Sequence, residues 1–121
     1  MSLQIFLADD NLNVCHALCL LLEQDGFSLV GEASDAESLL AQVCVAPPDV
    51  ILLDWELPGL RAQHLIPTLR EYCSNTKLIA LSVRSDAEQS VLAMGLDAFV
   101  CKVNPSDELL AVLRLIDQGT D

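Results

Sequence analysis

The chain has 121 residues, enough for one domain with a sizeable core; 52% are hydrophobic and only 4% aromatic, so that core is aliphatic. Eighteen acidic residues against six basic ones give a net charge of −12, which repels phosphate backbones and argues against direct nucleic-acid binding. No apolar stretch approaches the ~20 residues that cross a bilayer, and Met1-Ser2-Leu3-Gln4 carries no secretory pattern, so no membrane association and a cytoplasmic setting are expected.

Leu3–Ala8 reads as a buried first strand ending in Asp9-Asp10, and Asn11-Leu12-Asn13 offers caps for a helix bearing Val14, Leu18, Leu21 and Leu22 that Gly26 closes. Phe27–Gly31 is a short second strand. Ser34 or Asp35 caps a second helix with Leu39, Leu40 and Val43, which stops before Pro47-Pro48. Val50-Ile51-Leu52-Leu53 is an uninterrupted apolar run, the pattern of a parallel strand covered on both faces; it ends in Asp54, and Pro58-Gly59 turns the chain.

A third helix carries Leu65, Ile66, Leu69 and Tyr72. Lys77–Ser82 is a fourth buried strand, and Ser85-Asp86 offers caps for a fourth helix running through Met94 to Gly95. Ala98–Cys101 is a fifth strand ending at Lys102. Asn104-Pro105 starts a last helix with Leu109, Leu110, Leu113 and Ile116 inward. Five strands alternating with five helices argue for a doubly wound α/β sandwich formed by a single domain, residues 1–121.

The five cysteines are an odd number without metal-site spacing, and Cys44, Cys73 and Cys101 are expected to be small buried thiols. His16 and His64 fall on helices and carry no assigned chemistry. Trp55, the only tryptophan, is expected to pack its ring beside Asp54. The segment from Val91 to Phe99, with Met94 and Leu96, is divided between core packing and an apolar partner surface.

All strand carboxyl ends of a parallel sheet lie on one edge, where open α/β sheets bind ligands. Four of these five strands end there in polar residues: Asp9 and Asp10, Asp54, Ser82 and Lys102. Singly, each is most simply a cap, a turn residue or a solvated charge. Together, three carboxylates offer hard oxygen ligands for Mg²⁺, while Lys102 and Ser82 can hold phosphoryl oxygens. Asp54 is then placed as a nucleophile that forms an acyl phosphate.

Asp9-Asp10, Asp54 with Leu57-Pro58-Gly59, Ser82, Phe99 and Lys102 resemble the signature of response-regulator receiver domains of two-component signalling, over essentially the whole chain. Leu29–Ala33 and Asp54–Gly59 more narrowly resemble the branch with a helix-turn-helix output domain. The resemblance implies a flavodoxin-like (βα)5 fold with strand order 2-1-3-4-5. It implies Asp54 as phosphoacceptor, Mg²⁺ held by Asp10, Asp54 and the Glu56 backbone carbonyl with Asp9 acting through water, and Ser82 and Lys102 on the phosphoryl group. Ser82 and Phe99 would form the switch pair.

The implied partners are a sensor histidine kinase or phosphotransfer protein, an output domain in cis if the chain is a fragment, and a homodimer in some relatives. Such a domain catalyses its own phosphorylation and hydrolysis only, and regulates an effector, chiefly in transcription. The family pattern has proline after the lysine; Val103 stands there instead, and a trans Lys102–Val103 bond is expected. Glu56 and Arg84, each two residues past a strand end, are expected either to pair over the cleft and modulate water access or to stand as separate solvated charges.

Two rivals remain at this point. A haloacid-dehalogenase-like phosphohydrolase shares a strand-end aspartate nucleophile but needs more chain. A pseudo-receiver would bind proteins without being phosphorylated.

Overall fold

Strands flanked by helices on both faces must bury both sets of their alternating side chains, and Val50–Asp54, here β3, is buried at every position. The computed structural model of the chain describes residues 3–102 and 106–119. The other strands are β1 (Gln4–Ala8), β2 (Ser28–Ala33), β4 (Lys77–Ser82) and β5 (Ala98–Cys101). They form one parallel sheet in the order β2-β1-β3-β4-β5, as the resemblance implied.

Five helices connect and follow them: α1 (Leu12–Gln24), α2 (Ala36–Val43), α3 (Ala62–Tyr72), α4 (Glu88–Ala93) and α5 (Ser106–Gln118). Alternation along the strands divides the core in two. Ile5, Leu7, Val50, Leu52, Ile79, Leu81 and Val100 pack with Leu18 and Leu22 of α1 and Leu109 and Leu113 of α5. Phe6, Ala8, Ile51, Leu53, Leu78, Ala80 and Phe99 pack on the opposite face with α2, α3 and α4. Each large aliphatic side chain so withdrawn from water stabilises the fold by roughly 1.5–3 kcal/mol.

The starts of α1 and α2 follow their caps. Asn11 Oδ1 accepts the Asn13 and Val14 amides at 3.0 and 3.3 Å, and Asp35 Oδ1 accepts that of Ser38 at 2.7 Å. Gly26 ends α1 with φ +83°, a conformation that disfavours a side chain. Past β3, Gly59 has φ +114°, and a Cβ there would stand 3.2 Å from both the amide nitrogen and Cβ of Ala36. The Ala36 amide bonds Pro58 O at 2.9 Å, so this turn is seated against the start of α2.

Several expectations are corrected. β2 extends to Ala33 rather than Gly31, because its parallel pairing with β1 runs on to Ala8↔Ala33. Ser85–Ala87 is a 3-10 turn, with no side-chain cap at its start or at the start of α4. Cys44 is exposed and Cys101 half-buried, whereas Cys73 is buried as expected. Val91, Leu96 and Phe99 belong to the core, which leaves Leu92 as the exposed large apolar side chain of that stretch. The Lys102–Val103 bond and the Asn104-Pro105 start of α5 lie outside the described residues.

Among the described residues no helix is long and apolar enough to cross a membrane.

Candidate functional site

The alternation that divides the core also sorts the polar strand ends. Asp9, Asp54 and Lys102 continue the positions of Leu7, Leu52 and Val100, which face α1 and α5. Ser82 continues Ala80 and shares its face with Phe99. The sheet edge thus carries an ionic cluster on one side and a hydroxyl on the other.

Lys102 Nζ lies 2.7 Å from Asp9 Oδ2 and 3.0 Å from Asp54 Oδ1. Among the described residues Asp9 Oδ2 is otherwise without a hydrogen bond, so the Lys102 charge is what answers it. The lysine backbone is itself fixed, its amide bonding Ser82 O at 2.9 Å across β4 and β5. Asp9 Oδ1 accepts the Asn11 amide at 2.9 Å, and Asp54 Oδ1 accepts that of Glu56 at 3.0 Å. Asp9 and Asp54 are buried; Asp10 is exposed at the mouth.

Burial pushes the Asp54 carboxyl above the usual carboxylate range; the Asp9 charge adds to this, while the Glu56 amide and Lys102 offset only part. Burial works against the Lys102 ammonium too, but Asp9 and Asp54 outweigh it and hold its pKa above the ordinary lysine value. Among the described residues, Lys102 is the cation held against this acidic cluster.

Asp9, Asp10 and Asp54 each offer a carboxylate oxygen, all within 4.8 Å of one another. Three carboxylates against one ammonium leave an excess of negative charge, and hard oxygen donors so grouped fit a divalent cation.

Ser82 is wholly buried, and its hydroxyl lies 3.2 Å from both carboxylate oxygens of Glu56. Its oxygen accepts the Arg84 amide at 3.0 Å. The Glu56–Arg84 pairing is therefore not what forms: Glu56 engages Ser82, and Arg84 Nε turns to Asp86 at 3.4 Å. Neither expectation for the two side chains, a mutual pair or separate solvated charges, includes the Ser82 hydroxyl that Glu56 engages. Bonding of the Glu56 amide back to Asp54 curls the chain toward β4, and no sequence signal beyond that turn announced the contact. Phe99 is buried beside Val91 and Leu96, and Trp55 packs half-buried against the same core face. His16 and His64 are exposed on their helices.

Comparison with known proteins gives a consistent result. The family model described as "Response regulator receiver domain" matches residues 5–114. The phosphate regulon transcriptional regulatory protein PhoB of Klebsiella pneumoniae is 32% identical over 120 residues, covering 96% of this chain and 52% of that protein. The chain thus spans about half the length of the curated relatives it matches.

Among solved structures, the response regulator RcsB of Salmonella typhimurium superposes with a TM-score of 0.89 at 22% identity, covering 98% of this chain and 61% of that one. The signal receiver domain of the putative response regulator NarL from Mycobacterium tuberculosis superposes at 0.83 with 25% identity, covering 96% and 97%.

Proposed function

The chain belongs to the response regulator receiver domain family, and on that premise we propose that it is a Mg²⁺-dependent phosphorylation switch with Asp54 as the phosphoacceptor. The observation that carries the reading is the Lys102 ammonium held between Asp9 and Asp54, with Asp10 completing the acidic cluster.

In the forward step an Asp54 carboxylate oxygen attacks the phosphorus of a phosphohistidine on a sensor histidine kinase or phosphotransfer protein. The P–N bond breaks, and its electron pair returns to the donor imidazole. Lys102 turns from its carboxylates toward a phosphoryl oxygen, and the Ser82 hydroxyl donates to another. Water later attacks the phosphorus, releasing inorganic phosphate and restoring the Asp54 carboxylate.

Asp10, Asp54 and the Glu56 backbone carbonyl would hold Mg²⁺ directly, with Asp9 acting through water. When bound, the ion supplies charge that relieves carboxylate repulsion and neutralises the phosphoryl oxygens. The domain has no external substrate to turn over. Its product is a state: Ser82 and Phe99 bias a pre-existing equilibrium of the face made by α4, β5 and α5, which regulates a cytoplasmic effector, in transcription as in the named relatives.

Trp55, half-buried beside the acceptor, reports on the site. Its fluorescence is expected to change on adding Mg²⁺, then again with a small acyl-phosphate donor, the second change being absent in Asp54→Ala. Equal donor responses in both proteins would sink the proposal.

A further inference from the structure

From the contact between Glu56 and Ser82 we infer that Glu56 is a positioning residue: it latches the Ser82 hydroxyl in the resting state, and a phosphoryl group on Asp54 must displace it. The inference rests on the reading of Asp54 as the acceptor and adds what that reading lacks, a specific opponent of activation in this chain.

A serine hydroxyl has one hydrogen to donate. Ser82 is wholly buried, and that hydrogen has the two Glu56 carboxylate oxygens as acceptors, each at 3.2 Å. The Arg84 amide, at 3.0 Å, uses a lone pair of the same oxygen and leaves its hydrogen free to be donated to Glu56. Donation to Glu56 and donation to a phosphoryl oxygen are therefore mutually exclusive.

A hydroxyl bonded to a carboxylate makes a charge-assisted bond, stronger than one to a neutral acceptor. Glu56 is fastened by its own amide to Asp54 Oδ1 at 3.0 Å, so its side chain starts from a fixed point beside the acceptor. It is also exposed, so once displaced its carboxylate regains full hydration. These features give the latch two defined positions: bonded to Ser82 at rest, and solvated after an anion has claimed the hydroxyl. Arg84 Nε contacts Asp86 at 3.4 Å, and Glu56 is held by Ser82 instead.

The test is calorimetric titration of beryllofluoride, an aspartyl-phosphate mimic, in the presence of Mg²⁺. It compares the unmodified protein, Asp54→Ala, Glu56→Ala, Glu56→Gln, Ser82→Ala and the Glu56→Ala/Ser82→Ala double variant. The latch predicts binding about five- to tenfold tighter in Glu56→Ala, a smaller gain in Glu56→Gln, and equal affinities for Ser82→Ala and the double variant. A Glu56→Ala affinity no tighter than that of the unmodified protein overturns it. So does a gain that persists undiminished without the Ser82 hydroxyl, which would mark plain repulsion between two anions. Absence of Asp54-dependent binding in the unmodified protein fails the acceptor reading itself and the latch with it, a result distinct from the other two.

Discussion

Lys102 Nζ stands 2.7 Å from Asp9 Oδ2, with both side chains nearly withdrawn from water. Removing one partner of a buried pair leaves an uncompensated charge, and Asp54 would lose the same cation at 3.0 Å. Lys102→Ala is expected to lower stability at neutral pH by about 3 kcal/mol in the absence of divalent ions. Urea unfolding measures it; a loss within error of zero would show that water, not the lysine, satisfies these carboxylates.

Asp54 gives a pH prediction of definite sign. Burial first, and the Asp9 charge with it, raises its carboxyl above the unfolded value of 3.8, so the folded chain binds this proton more tightly than the unfolded one. Its contribution to stability is favourable below the unfolded pKa and is lost as pH rises through the folded one. Without metal, Asp54→Asn is therefore expected to be more stable than the parent at pH 7, with the gap shrinking toward pH 3. Denaturant midpoints across that range decide it, and a less stable variant at pH 7 would reverse the sign.

Arg70 ties α3 to the Thr76 turn and to the Gly95–Asp97 loop, segments with no local signal that connects them. Its guanidinium donates to Thr76 O at 3.0 Å, Gly95 O at 2.8 Å and Asp97 Oδ2 at 3.2 Å. Asp97 Oδ2 also accepts the Leu78 amide at 2.7 Å, at the start of β4. Arg70→Ala is expected to cost about 1–2 kcal/mol, since the carbonyl contacts are partly replaced by water. Thermal unfolding reads the loss, and Arg70→Lys should recover only part of it.

The thiols should separate cleanly in reactivity. Cys44 is exposed, whereas Cys15 and Cys73 are buried, and burial raises the pKa of both. Iodoacetamide followed by peptide mapping is expected to modify Cys44 first, with Cys15 and Cys73 protected until the chain unfolds. Early labelling of Cys73 would place it in a region that opens readily.

The sheet and the acidic edge were legible because they rest on local signals. An unbroken run such as Val50–Leu53 can be satisfied only by burial on both faces, and a polar residue ending four such runs marks one edge of the sheet. Caps at Asn11 and Asp35 were equally local. What escaped depends on segments far apart in the chain: Arg70 meeting Gly95 and Asp97, the buried Thr76 hydroxyl on Pro48 O at 2.7 Å, and Glu56 on Ser82. The start of α4 departs from expectation for another reason. Ser85 and Asp86 are capping residue types, but the chain there first makes a 3-10 turn whose ends no side chain caps.

The assignment of Asp54 is tested most directly by locating the phosphoryl group. The protein is treated with a small acyl-phosphate donor and Mg²⁺, reduced with borohydride to convert any aspartyl phosphate to homoserine, then digested and mapped by mass. The account predicts homoserine at position 54, dependent on Mg²⁺ and lost in Asp10→Asn. Reduction at Asp9 or Asp10 instead, or an unmodified Asp54 under conditions that saturate the donor, would contradict it.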